Sequence, residues 1–204
     1  MATTTEAALI EDLDFAEVMP AARFSERHSV TIQRPIDYVW SAVCDLTGDE
    51  IALLRPLFAL RGIPATLRRK QPPAPVGDRP VLELFGEEGF VMLRHDPEPI
   101  DGRAVLIFGA AGRFWSAAHN APLPFESAAD FVGFAEPGYA KTVARFEAWE
   151  VDGATMVETE TLVIGTDKAS TRKFGAYWMI IRGPSGLLRR SWLRAIDRRA
   201  TTAV

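Results

Sequence analysis

Few side chains in this sequence are of the kinds that perform covalent or metal chemistry, and their spacing limits what they can do. The three histidines, His28, His95 and His119, are far apart in the chain. No HExxH pair occurs, and no Cys/His cluster has zinc-ligand spacing, so no metal site and no cofactor is expected. Ser185 stands in a near-match to a nucleophile elbow, but the motif needs glycine two residues later and Leu187 is there. The run Gly109 to Gly112, GAAG, lacks the third glycine of a dinucleotide loop. It reads instead as a place where a strand relieves crowding or bends. No GxxxxGK[ST] phosphate loop is present. What remains for acid–base work is a histidine beside a cavity, with His119 and His95 as the weak catalytic candidates; both are also consistent with ordinary surface residues.

A second set of residues points to binding. In the stretch YAKTVARFEAWEV, Ala140, Thr142, Ala144, Phe146 and Ala148 share one strand face, while Lys141, Arg145 and Glu147 share the other. In ATMVETETLVIGT, Val157, Thr159, Thr161 and Val163 share a face with hydroxyls at its centre. A covered sheet face made of alanine and threonine leaves room that large core residues would fill, and it offers a few hydrogen-bonding groups. Either a cavity occupies that room or a bulky helix does.

The helix that would lie there is near the C-terminus. Phe174, Tyr177, Trp178 and Ile181 fall at i, i+3, i+4 and i+7, the stripe of a helix facing a core. Thr166 or Asp167 is placed to cap it. Gly183-Pro184 is expected to end or kink it, with Ser185 capping a continuation in which Leu188, Trp192 and Ile196 form one line and Arg190, Arg194 and Arg198 another. Trp115 and Tyr139 are aromatic enough to join a ligand site or to be plain core.

These elements need a scaffold. RHSVTI reads as a first strand, RPIDYVWSAVCDL as a helix with Pro35 at its first turn, and EIALLRPLFALRGIP as a second helical segment. LIEDLDFAEVM before them is a short helix, and VLELFGEE after them a helical turn or two. FVMLRHD and RAVLIFGA form a hairpin across PEPIDG, and Asp152-Gly153 is a strong turn signal between the last two strands. At 204 residues, with 48% hydrophobic and 25% charged, the chain suits a single domain, with residues 1–24 as an N-terminal extension and 68–80 as a proline-rich surface loop.

Charge is unevenly spread. From Lys168 to Arg199 nine basic residues face one acid, Asp197, whereas the whole chain carries −4. The acidic remainder can supply counter-charges to this basic tail, so docking on the body is preferred to an anionic membrane surface, which stays open as a partner. No nucleic-acid-binding motif occurs and the overall balance is acidic. Cys44 is the only cysteine, and the first 19 residues hold five acids and no Lys or Arg. Both fit a cytoplasmic protein better than a secreted one. Oligomeric state is not encoded in any feature above.

RPIDYVWSAVCDL, GRFW, EPGYAK, TETLVIGTD and YWMIIRGPSGLLRRSWLRAIDRRA together resemble the START-like superfamily of polyketide cyclase/dehydrase and lipid-transfer proteins (SRPBCC), most closely its uncharacterised bacterial branch, over about residues 27 to 200. The resemblance implies an α+β helix-grip fold, a curved antiparallel sheet around a long, kinked C-terminal helix, with two short helices after the first strand. It also implies an apolar cavity between sheet and helix. Candidate lining residues are Trp115, Tyr139, Thr142, Ala144, Phe146, Thr159, Thr161, Phe174, Tyr177 and Trp178. The expected partner is a small apolar molecule, lipid- or polyketide-like. The superfamily holds enzymes of the cyclase/aromatase or hydrolase type as well as binders, so the fold does not choose between them.

Overall fold

The computed structural model describes residues 15–19, 21–54, 77–116 and 118–202. The chain is α+β, with a five-stranded antiparallel sheet in the order β1-β5-β4-β3-β2. The strands are β1 (Phe24–Ile32), β2 (Val91–His95), β3 (Arg103–Gly112), β4 (Ala140–Val151) and β5 (Ala154–Gly165). Among the described residues the α-helices are α1 (Phe15–Val18), α2 (Ile36–Cys44), α3 (Val81–Glu87), α4 (Ala128–Gly133) and the long α5 (Lys168–Thr202).

The hairpins follow from turn chemistry. Asp152 (φ 49°) and Gly153 (φ 79°) both take the left-handed backbone region, which closes a two-residue turn whose twist matches the flanking strands. Asp101 (φ 51°) and Gly102 (φ 70°) do the same between β2 and β3. β1 begins three residues before the expected RHSVTI, at Phe24, because the Phe24 ring packs 5.2 Å from Phe174 on α5. Of the expected second helical segment, a 3₁₀ turn at Gly48–Glu50 and the residues to Leu54 are described, and the rest lies outside the described residues. Most of the proline-rich loop lies outside them too.

Both sheet faces are covered. The inner face carries Ala104, Leu106, Phe108, Ala144, Phe146, Ala148 and Val157 against α2 and the C-terminal half of α5, where Trp192, Leu193 and Ile196 are buried. The outer face packs Val105, Ile107, Ala111 and Val143 under Phe15, Met19 and Phe131 of the α1 and α4 regions. That is why β3 is a nearly continuous apolar run rather than an alternating one. It also explains Gly109: a Cβ there would lie 2.6 Å from Phe131 Cζ, so the glycine makes room for that ring. Beside this apolar patch the outer face carries an ion-pair ladder in which Arg145 reaches Glu147, Glu158 and Glu160, and Arg27 reaches Glu160.

α5 departs from expectation at its middle. It runs unbroken through Gly183-Pro184 for 35 residues, so Ser185 lies inside one helix and caps nothing. Pro184 removes one i→i−4 hydrogen bond. The loss falls on the solvent side, where Pro184 is exposed and Ile180 is 75% exposed, so water can satisfy the freed carbonyl. Packing of the opposite face then carries the helix across the defect. At its start, Asp167 accepts hydrogen bonds from the backbone N–H of Ala169 and Ser170, the cap expected there, and it also accepts from the backbone of Gly138 before β4. Hydrogen bonds from the Ser170 backbone and hydroxyl and from Gly138 hold its carboxyl down to about 2.

Candidate functional site: a cleft between the sheet and the long helix

The sheet supplies the floor of a cleft. Phe108 of β3 stands opposite Ala144 of β4, and Ala144 opposite Thr161 of β5; one step along, Thr142 stands opposite Val163. All five line the space. The roof is one face of α5. Phe174, Tyr177, Trp178, Ile181, Ser185, Leu188, Arg189 and Trp192 succeed each other at helical spacings of three and four. Phe85 and Glu88 of the α3 region, with Phe90, Phe114 and Pro122, close the side. The cleft is partly open to solvent, and its volume is about 220 Å³.

The two readings of the small-residue face are each true at a different end. Toward the C-terminus of α5, the Trp192 ring lies 4.9 Å from Phe146 and stacks at 5.5 Å and 11° on Phe85, so bulky rings fill the room over that part of the sheet. Over Thr142, Ala144 and Thr161 the room stays open. Among the residues expected to line it, Thr142, Ala144, Thr161, Phe174, Tyr177 and Trp178 do so. The other four do not. Phe146 is covered by Trp192. Thr159 is fully buried and accepts a 2.8 Å hydrogen bond from Arg189 Nη1. Trp115 packs against the Ala140, Val163 and Phe174 cluster. Tyr139 turns to Phe134, edge-on at 5.5 Å, with the Arg113 guanidinium 4.7 Å over its ring.

Leu188, Arg189 and Trp192 were missed because a helix assumed to stop or bend at Pro184 loses its register. Continued without a break, the 174/177/178/181 stripe predicts Ser185, Leu188 and Trp192 directly. Arg189 belongs beside that stripe, whereas Arg190 and Arg194 point to solvent and are exposed. Phe85, Phe90 and Phe114 come from distant segments whose aromatic residues read only as general core.

Arg189 has the most unusual surroundings in the cleft. Burial pulls its guanidinium down to about 10, and Glu26 on β1 acts in the opposite direction. Glu26 itself accepts from His28, Nε2 to Oε1 at 3.0 Å. Both sit on the inner side of β1, paired with Thr161 and Thr159 of β5. Gly186 lets α5 approach this pair: a Cβ would come 2.5 Å from Glu26 Oε1.

The weak catalytic candidates lie elsewhere. His119 is exposed on its loop. His95, on β2, has a cysteine neighbour: its Nε2 is 3.5 Å from Cys44 Sγ of α2. Burial, helped by Asp45, pushes the Cys44 thiol up to about 11, so it is protonated at neutral pH and is no activated nucleophile. Among the described residues no group of three or more His, Cys, Asp or Glu side chains is arranged to hold a metal ion, and none of the described helices is long and apolar enough to cross a membrane. The basic end of α5 meets the body at Glu50, where Arg198 donates to its carbonyl and Arg199 to its carboxylate.

No protein-family model matches the chain, and no curated protein matches it. Among solved structures it is similar to the hypothetical protein jhp0584 from Helicobacter pylori, at 8% identity and a TM-score of 0.44, over 98% of this chain and 99% of that one.

Proposed function

We propose that the chain binds a small, largely apolar molecule in the cleft between the sheet and α5, on a helix-grip scaffold of the START-like kind that its sequence resembles. The observation that carries this is the hollow kept over Thr142, Ala144 and Thr161 while aromatic rings wall the other sides. Burial of apolar surface would supply the affinity and the few polar groups the orientation. Volume limits the occupant. An apolar cavity of about 150 Å³ holds benzene, so about 220 Å³ receives one or two rings or a short chain within the cleft. Among the described residues, a cyclase- or hydrolase-type reaction in the same cleft would have Glu88 and Tyr177 as its carboxyl and phenol, and His95 and His119 stand outside it. Binding is therefore the reading put forward.

The test is native mass spectrometry of gently purified protein, with Ala144→Phe as the control. The expected result is a co-purified small molecule on the wild-type chain and none on the variant. Equal retention by both places the molecule outside the cleft and rejects the reading.

A further inference from the structure

Three polar atoms around the cleft lack what buried polar atoms normally have. Arg189 Nε, Trp192 Nε1 and Thr161 Oγ1 are each shielded from solvent and, among the described residues, have no hydrogen-bond partner. All three residues line the same space. Trp192 is 5% exposed and Thr161 7%. Buried polar groups without partners are uncommon enough that each calls for an explanation, and three around one hollow have a shared one. An indole N–H and a guanidinium N–H only donate, and a hydroxyl can donate. As they stand none of the three is open to water, so an acceptor carried by an occupant of the cleft satisfies them only as their side chains turn toward it.

We propose that the occupant is a compact aromatic acid whose carboxylate sits on Arg189, with Trp192 Nε1 and Thr161 Oγ1 as the flanking donors. This rests on the cleft being a binding site and names the class of its ligand. The aromatic body follows from the walls, where Phe85, Phe90, Phe108, Phe114, Tyr177 and Trp178 offer ring faces and edges. The charge follows from Arg189, whose guanidinium is matched to a carboxylate in shape and sign. Its hydrogen bond to Thr159 occupies Nη1 and leaves Nε available.

Two protein carboxylates work against an acid here. Glu26 lines the groove on the other flank of α5, with its Oε1 taken by His28. Its Oε2 is buried without a partner among the described residues, and its pull on Arg189 is outweighed by burial, which leaves the guanidinium displaced downward. Glu88 lines the cleft but is exposed, and its charge is screened by water.

The experiment compares 2-naphthoate with 2-naphthamide, which share a body and differ in charge, by calorimetric titration into the full chain at pH 7. The acid is expected to bind roughly 10- to 100-fold more tightly, the range of a charge-assisted hydrogen bond, and to shift the indole N–H resonance of Trp192. Arg189→Gln should abolish the preference for the acid, and Ala144→Phe should weaken both probes by about 30- to 150-fold. Equal affinity for acid and amide in the wild-type chain, or a preference that survives Arg189→Gln, overturns the carboxylate assignment and leaves the cleft reading standing. Failure of the wild-type chain to bind either probe overturns both. Should Arg189→Gln not fold, the wild-type ratio and the Trp192 resonance still decide the matter.

Discussion

Replacing Ala144 by Phe tests whether the hollow beneath α5 is real. Ala144 is 6% exposed, faces Phe108 and Thr161 across the strands, and lines the cleft. The added phenyl is benzene-sized, and a cavity that holds benzene measures about 150 Å³. Against about 220 Å³ available, the ring takes up roughly two-thirds of the space. Burying it contributes about 1.5–3 kcal/mol, while fitting it among the existing rings costs about 1–3 kcal/mol. Stability should stay within about 2 kcal/mol of wild type, a Tm change below about 8 °C for a chain of this size. Binding should suffer far more. Loss of burial for one ring-sized ligand body, about 2–3 kcal/mol, weakens the affinity for 2-naphthoate by about 30- to 150-fold. Thermal melts and calorimetric titration read the two quantities separately. Destabilisation beyond about 3 kcal/mol would mean that no hollow exists to receive the ring, and an unchanged affinity would mean that the ligand sits elsewhere.

Three further outcomes follow from the fold. Gly109→Ala should cost about 1–3 kcal/mol in urea denaturation, because its Cβ meets a Phe131 ring that is fully buried; a neutral result would show that the α4 region yields easily. Pro184→Ala should stabilise by about 2–2.6 kcal/mol: alanine is about 3 kcal/mol better inside a helix, less about 0.4–1 kcal/mol for the freer unfolded chain. A lower Tm for that variant would mean that the proline sets a needed bend. Asp167→Asn should flatten the acid limb of the stability curve. The Asp167 carboxyl is depressed to about 2, so its contribution is complete above the ordinary carboxylate range and is lost as pH falls from about 4 through 2. Identical wild-type and variant slopes over that range would contradict the cap.

Much of the scaffold was legible because it is written in local chemistry. Alternation along β4 and β5, the Asp152-Gly153 turn and the Asp167 cap each depend on residues within a few positions of one another. The same holds for about a third of the residues that line the cleft. Thr142, Ala144 and Thr161 were found from strand periodicity, and Phe174, Tyr177 and Trp178 from helical periodicity. Pro184 misled because its local rule is strong. A proline ends a helix unless something outside the helix holds both halves, and the apolar stripe packed from Phe174 to Ile196 does so.

By itself the sequence determined which faces exist: a small, hydroxyl-bearing sheet face and an aromatic helix stripe able to cover it. Which part of that face stays open, and what looks into it, was decided by tertiary structure. Trp192 fills one end only because Phe85 and Phe146, remote in sequence, stack against it. Arg189 becomes a half-buried cation only because β1 and β5 bring Glu26 and Thr159 to the same helix face. Burial of a charge depends on every element around it, and no local pattern along the chain reports that sum.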